Sequence, residues 1–211
     1  MLFLSLSLTS CFDIIQDITV KENGSGKFGL TVNLSKSKNS IVKILSQDSI
    51  RGFKIPSTRE IEKELARLKT ELEQLKGISN VRIAKNFEHY IFKLNFDFAH
   101  INNLNEAQKE LAKNDSKMAQ PVSYIYNNSA FTMKFSDELL KKADNQLVKY
   151  KLGELRSADL ITIFRFENMV KNCSGSTCKI SKNGKTTFNK ITASEFIENS
   201  KNHSLTISLK K

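Results

Sequence analysis

The stretch 88–98 constrains the fold most strongly, because apolar and polar residues alternate without a break from Phe92 to Phe98. Alternation with a period of two predicts a β-strand with one buried face. Lys93, Asn95 and Asp97 would point to the opposite face. The apolar row is either core that faces a helix or an exposed face for an apolar ligand or partner. Its members are Tyr90, Phe92, Leu94, Phe96 and Phe98.

A helix is predicted just upstream, and it offers this row a packing partner. Ser57 and Glu60 form the capping-box pattern that starts a helix, and Gly77 is placed to end it. Between them, leucines and one isoleucine recur at spacings of three and four, which gives one apolar stripe. The stripe covers fewer than three heptads, so we expect it to pack on a sheet rather than form a coiled coil. The stripe residues are Ile61, Leu65, Leu68, Leu72 and Leu75.

The remaining segments read as pairs of strands separated by helices. Hairpins that alternate with helices favour an α+β fold with mostly antiparallel sheet. The apolar stretch 160–166 should be a central strand, and Asn183-Gly184 predicts a type I′ hairpin turn. The other predicted strands are 12–20, 28–34, 81–86, 122–126, 130–135 and 205–209; the other predicted helices are 39–47, 102–113, 136–148 and a short one capped by Thr192.

The polar stretch 114–120 is the best candidate for a linker. It would separate an N-terminal α+β half, residues 11–113, from a C-terminal α+β half, residues 121–211. Nothing in the composition of the two halves requires them to fold separately, so one continuous domain remains the alternative.

The N-terminus carries the apolar run 2–7 followed by Leu8-Thr9-Ser10-Cys11. These four residues resemble the lipobox of bacterial lipoproteins. The resemblance implies that the Cys11 thiol first receives a diacylglyceryl group and that residues 1–10, the signal segment, are then removed. No basic residue precedes the run, although export signals carry one, and its alternation also suits an ordinary strand. Because Phe12 rather than Asp follows the cysteine, the resemblance implies a lipid-anchored envelope protein of the outer membrane rather than the inner one.

Cys173 and Cys178 remain as a close pair in a polar segment. In an oxidising compartment such a pair predicts a disulfide in a surface hairpin, with Cα atoms about 4.4–6.8 Å apart. Free thiols are the alternative. A zinc site is disfavoured, since zinc normally takes four ligands and no second Cys or His pair lies nearby.

Three features together resemble LppM-like exported bacterial lipoproteins. The resemblance implies an α+β envelope domain, connected in some members with lipid or host-surface interaction, and it transfers no catalytic residue. Members that end in a transmembrane helix differ from this chain, which stops at Lys210-Lys211. The features are the lipobox, an opening hairpin with Ile18-Thr19-Val20 and Gly24-Ser25-Gly26, and a C-terminal block with Phe164-Arg165-Phe166 and Asn183-Gly184-Lys185-Thr186.

The sequence points to a non-catalytic binding or assembly module. His89, His100 and His203 are far apart, and we find no hydrolase, metal or cofactor motif, so no cofactor is expected. The net charge of +11 indicates either a lysine- and asparagine-rich surface that reflects base composition and binds nothing, or attraction to an anionic lipid or glycan. Another envelope protein is a further candidate partner. Nucleic acid is not expected for an exported chain without an arginine cluster. A structural envelope protein without a discrete ligand, and a hydrolase with a dispersed site, remain the alternatives.

Overall fold

The computed structural model describes residues 12–47, 49–50, 53–112, 120–141, 156–199 and 203–210. Strands and helices alternate along this part of the chain. The strands are β1 (Asp13–Val20), β2 (Gly26–Asn33), β3 (Ser49–Ile50), β4 (Phe53–Lys54), β5 (Ile78–Asn86), β6 (Ile91–Phe98), β7 (Val122–Asn127), β8 (Ala130–Phe135), β9 (Asp159–Phe166), β10 (Val170–Cys173), β11 (Lys179–Ile180), β12 (Thr186–Thr192) and β13 (Ser204–Leu209). The helices are α1 (Lys38–Leu45), α2 (Thr58–Gln74), α3 (Ile101–Ala112), α4 (described over 137–141) and α5 (Ala193–Glu198).

Two main sheets organise these strands. The larger has seven strands in the order β11-β12-β9-β1-β2-β6-β5, and the smaller has four in the order β10-β13-β8-β7. Only the pairing of β1 with β9 is parallel among the described ladders. The α+β fold with mostly antiparallel sheet is therefore confirmed.

One face of the seven-stranded sheet is closed by two different partners. The four-stranded sheet covers the β9–β1 side, where Phe131 of β8 packs its ring 4.8 Å from that of Phe164. Helices α2 and α3 cover the β5–β6 side. Each phenylalanine buried in this layer contributes about 1.5–3 kcal/mol to stability. The closed face holds the main core, and the opposite face of the same sheet is left open.

Helix α2 begins at the predicted capping box. The Ser57 hydroxyl accepts a hydrogen bond from the Glu60 amide, and the Glu60 carboxylate accepts one from the Ser57 amide. Leu72 is fully buried against the core, while Ile61 and Leu65 near the other end stay half-buried beside Pro56. Packing on the sheet is thus the role of the C-terminal half of the stripe.

The turn between β11 and β12 differs from the predicted type I′ turn. A type I′ turn needs positive φ at two residues, but here Gly184 has φ +67° and Asn183 is not in the positive-φ region. The Gly184 amide donates to the Ser181 carbonyl, and Ser181 pairs with Thr186, so four residues form the loop rather than two. A longer loop relieves the need for the mirror-image turn.

Both halves of the chain contribute to the seven-stranded sheet. Strands β1, β2, β5 and β6 come from residues before the predicted linker, and β9, β11 and β12 come from residues after it. Strand β1 pairs along its whole length with β9, from Asp13 with Asp159 to Val20 with Phe166. The two halves therefore share one sheet and one core. Most of the predicted linker, residues 114–119, lies outside the described residues.

Candidate functional site: the open face of the sheet

The predicted apolar row does not form an open face. Leu94, Phe96 and Phe98 are 6%, 1% and 2% exposed and lie in the core, so they offer no surface to a ligand. Phe92 is half-buried and packs edge-on against Phe87. Tyr90 is not on the strand at all: it lies in the turn 87–90 with φ +52°, because β6 begins only at Ile91.

The two predicted cysteine sites have different outcomes. Cys173 and Cys178 form the predicted disulfide, with Cα atoms 6.2 Å apart. Instead of lying at a free surface, both cysteines are half-buried and pack against the core. The disulfide links β10 of the smaller sheet to the segment that leads into β11 of the larger one. Cys11 and the rest of the lipobox lie outside the described residues.

The open face carries a cleft built from two rows of cross-strand neighbours. In the first row, Asp17, Gly29, Asn95 and Arg82 stand opposite one another on β1, β2, β6 and β5. In the second row, Thr19, Lys27 and Asp97 do the same on β1, β2 and β6. Side chains two residues apart on a strand share a face, so both rows project from the same side of the sheet. Arg165 of β9 completes one wall.

Gly29 makes the cleft concave. It lies in the centre of the floor, where an added Cβ would sit 3.0 Å from the Asn95 side-chain oxygen. The space above it is about 520 Å³, within the range of about 300–1,000 Å³ for small-molecule sites. A glycine at this position therefore leaves space for a ligand. The side chain of any larger residue would fill that space.

Four of the polar side chains in the cleft are paired with one another. Arg165 Nη2 lies 2.9 Å from Asp17 Oδ2, and Arg165 Nε lies 3.0 Å from Oδ1, which is a bidentate ion pair. The hydrogen bonds to Asp17 raise the pKa of the Arg165 guanidinium above its usual value, against the opposing effect of partial burial. Asn80 Nδ2 donates to Asp97 Oδ2 at 2.7 Å. Both carboxylates of the cleft are thus engaged by neighbours.

Lys27 and Arg82 remain available. Within the described part of the chain, neither has a hydrogen-bond or ion-pair partner, although Lys27 stands opposite Asp97 across the strands. Both side chains are exposed at the rim of the cleft. Two uncommitted cations beside amide and carboxylate groups make the cleft suited to an anionic ligand that also carries hydroxyl groups.

The histidines lie elsewhere. His203 Nε2 is 2.9 Å from the Phe196 carbonyl, His100 accepts from the Asn102 amide through Nδ1, and His89 lies 3.8 Å from Glu88. None of them lines the cleft. In the residues that the structure describes, no group of three or more His, Cys, Asp and Glu side chains could hold a metal ion.

Sequence reasoning missed the cleft because its residues come from distant segments. Asp17 and Arg165 are 148 positions apart, and the pair forms only because β1 lies beside β9. One signal was visible: Arg165 interrupts a strand that is otherwise almost entirely apolar. A charged residue in a central strand has to face an open side of the sheet or a partner of opposite charge.

Comparison with known proteins yields a structural neighbour. No protein-family model matches this chain, and no curated protein sequence matches it. The chain is similar to the NMR structure of the folded domain of LppM from Mycobacterium tuberculosis, with a TM-score of 0.46 and 9% sequence identity. The match covers 94% of this chain and 88% of that one. Over the described residues, no helix is both long enough and apolar enough to cross a membrane.

Proposed function

We propose that this protein is a non-catalytic, membrane-tethered module that binds an anionic, hydroxyl-rich ligand in the cleft around Gly29. The observation that carries the proposal is the pair of uncommitted cations, Lys27 and Arg82, at the rim of a concave polar surface. A purely structural surface gains nothing from a cleft of this kind in the middle of an open sheet.

The ligand class follows from the donors and acceptors in the cleft. A guanidinium and an ammonium both bind phosphate or carboxylate through charge-assisted hydrogen bonds. The side chains of Asn80, Asn95 and Asp97 can exchange hydrogen bonds with hydroxyl groups. A sugar phosphate or an acidic sugar has both kinds of group, whether it is free or part of a lipid headgroup or glycan.

Binding fits the site better than catalysis does. The described lining residues include no histidine or cysteine that could act as a general base or nucleophile. Among the described residues, Leu94, Phe96 and Leu72 are buried in the core between the sheet and α2, where an acyl chain would otherwise need a groove. The cleft on the open face is therefore the surface on which we expect this domain to bind its ligand.

The tether belongs to the same proposal. Leu8-Thr9-Ser10-Cys11 supports lipidation at Cys11 and a location in the cell envelope, with the outer membrane favoured by Phe12 at the following position. A tether raises the local concentration of the module at one surface, so that weak contacts become effective. Cys11→Ala should release the protein from the membrane fraction or block its processing. An intact Met1 N-terminus in the unmodified protein by mass spectrometry, together with unchanged membrane retention of Cys11→Ala, would contradict the tether.

Calorimetry with three probes tests the ligand class. We expect glucose 6-phosphate to bind more tightly than inorganic phosphate, and glucose to bind least, because only the sugar phosphate engages both cations and amides. The variant Lys27→Ala/Arg82→Ala should lose at least about tenfold in affinity, since hydrogen bonds to charged groups are worth about 1.5–3 kcal/mol each.

The matched control is Lys134→Ala/Lys171→Ala, which removes the same charge from exposed positions on the four-stranded sheet, away from the cleft. Its affinity for glucose 6-phosphate should stay close to that of the unmodified protein. Equal losses in the two variants would show general charge attraction instead of a site. Failure of all three probes to bind would favour a structural envelope protein without a discrete ligand.

A further inference from the structure

The start of β1 defines the end of the molecule from which a tether at Cys11 emerges. The Phe12 carbonyl accepts a hydrogen bond from the Asp159 amide at 3.0 Å, so the chain is held in the sheet from Phe12 onward. Covalent geometry places the Cα atom of the preceding residue about 3.8 Å from that of Phe12. A lipid on Cys11 would therefore bring this end of the sheet to the membrane surface.

The segment that carries α1 lies at the same end. Strand β2 ends at Asn33, directly opposite Asp13. Lys36, in the 3₁₀ turn Ser35–Ser37 that follows, places its Nζ 3.2 Å from Asp13 Oδ1. Helix α1 begins one residue after that turn, and its eight residues extend about 12 Å. Helix α1 therefore begins close to the point where the tether would attach.

Helix α1 is amphipathic, basic and weakly packed. Ile41, Val42 and Leu45 give it an apolar side, and Val42 is 47% exposed. Lys38 and Lys43 are its charged residues, and the stretch 34–47 contains no Asp or Glu. Among the described elements, the 3₁₀ turn that adjoins α1 in sequence is its main neighbour. A helix of this length is marginal in water by itself, so a further surface would stabilise it.

The carboxylates nearest to the start of β1 do not oppose an anionic partner. Asp13 is paired with Lys36, and Asp159 is paired with Lys190 at 2.7 Å. The hydrogen bond to Asp159 raises the pKa of Lys190 above its usual value, which keeps that lysine charged. Lysines thus neutralise the two carboxylates beside β1, and the turn 87–90 at the same end adds one exposed carboxylate, Glu88.

We propose that α1 lies on an anionic phospholipid surface beside the lipid anchor, with Val42 toward the acyl chains and Lys38 and Lys43 among the headgroups. This inference rests on the proposed tether at Cys11. Short amphipathic helices bind membranes in this way through buried apolar area and attraction to anionic lipid. The contact would hold β1 upright and keep the cleft near Asp17 about 14 Å above the surface, at 3.4 Å per strand residue.

A tryptophan placed on α1 tests the contact, because the chain has no tryptophan of its own. The full-length lipidated protein carrying Val42→Trp is reconstituted in phosphatidylcholine–phosphatidylglycerol vesicles with brominated acyl chains. The control is Ile125→Trp, at a position that is 63% exposed and next to Tyr126, which contacts Glu22 at the other end of β1. We expect a blue shift and strong quenching at Val42, and neither at Ile125.

Charge reversal gives a second readout. Lys38→Glu/Lys43→Glu in the Val42→Trp protein should abolish the quenching, while circular dichroism shows that the fold is intact. Sedimentation with the vesicles in the absence of quenching would overturn the role of α1 and leave the tether standing. Failure to sediment would overturn both. A blue shift that grows with protein concentration and is insensitive to bromine would assign α1 to contact with a second copy, which also contradicts the inference.

Discussion

The two faces of the seven-stranded sheet are made by the same strands and have opposite characters. On β6, Phe96 is buried against Phe28 with ring centroids 4.8 Å apart, while its neighbour Asn95 lies on the open side in the cleft. On β9, Phe164 is fully buried, while Arg165 faces out to Asp17. One side is a dry, phenylalanine-rich layer closed by a second sheet and two helices. The other is open, with ionic and amide side chains in the cleft and the exposed Phe188 farther along the same row on β12.

The two faces should contribute differently to folding stability and to the proposed binding. Substitutions on the closed face should change folding free energy, because tightly packed side chains cannot be removed without leaving a cavity. Substitutions on the open face should leave folding nearly unchanged and alter binding. Folding free energy and ligand affinity should therefore respond separately to substitutions on the two faces.

The largest effect is expected from a pair of adjacent residues on β6. Phe96→Ala should lower the free energy of unfolding by about 3–5 kcal/mol, as is usual for a buried phenylalanine. Asn95→Ala, one residue earlier on the open face, should change it by no more than about 0.5 kcal/mol. Urea denaturation of both variants measures the difference. Similar losses in the two variants would mean that the open face is structurally coupled to the core.

Removal of the disulfide is the next test. Cys173→Ala/Cys178→Ala should cost about 2 kcal/mol, since the bond closes a loop of only six residues. Because the bond joins the two sheets on the closed side, the affinity of the cleft for glucose 6-phosphate should not change. Loss of that affinity along with stability would show that ligand binding on the open face depends on the disulfide that joins the two sheets.

Alkaline pH should weaken the closed face through Tyr124. This residue is fully buried, accepts a hydrogen bond from Gln16, and burial raises the pKa of its hydroxyl. Above pH 10 the unfolded state ionises while the folded state does not, so stability that is complete below about pH 10 falls by about 1.4 kcal/mol per pH unit.

Tyr124→Phe should remove this part of the alkaline slope in urea denaturation at pH 9 to 11, values chosen to span the reference tyrosine pKa of about 10. The same change at half-buried Tyr126 should matter less, although partial burial and the carboxylates of Glu22 and Glu167 also raise the pKa of that hydroxyl. An unchanged slope in Tyr124→Phe would place the alkaline sensitivity elsewhere.

The smallest effect is expected from the ion pair on the open face. The side chains of Asp17 and Arg165 are 37% and 48% exposed, so solvent screens their attraction. A double-mutant cycle with Asp17→Asn and Arg165→Gln should give a coupling energy of about 0.2–1 kcal/mol that declines with added salt. A larger coupling that salt does not affect would indicate that this face is covered in the folded protein.

The closed face could be predicted from sequence because it is encoded locally. The alternation in 88–98 places Leu94, Phe96 and Phe98 in the core, and both capping boxes are found where Ser57 and Thr192 predicted them. The disulfide followed from two cysteines five positions apart. In each case the signal and the structure lie within one segment.

The open face could not be predicted because it depends on strand order. The alternation that buries Phe96 also exposes Asn95, but it does not say that Gly29, Asp17 and Arg82 stand beside it. That neighbourhood depends on β2 lying between β1 and β6, and on β9 joining β1 in parallel. Tyr90 shows the limit of prediction from a local pattern. The alternation predicts that it is a strand residue, but it lies in a turn with positive φ.

Chemical-shift mapping tests the central claim most directly. The isotopically labelled protein is titrated with glucose 6-phosphate, and the backbone amide shifts are followed residue by residue. The account predicts that the largest saturable shifts fall on Lys27 to Gly29, on Asn80 to Arg82 and on Asn95 to Asp97, three segments that line the cleft side by side on adjacent strands. Shifts confined to lysine-bearing loops, or absent from these three strands, would contradict it.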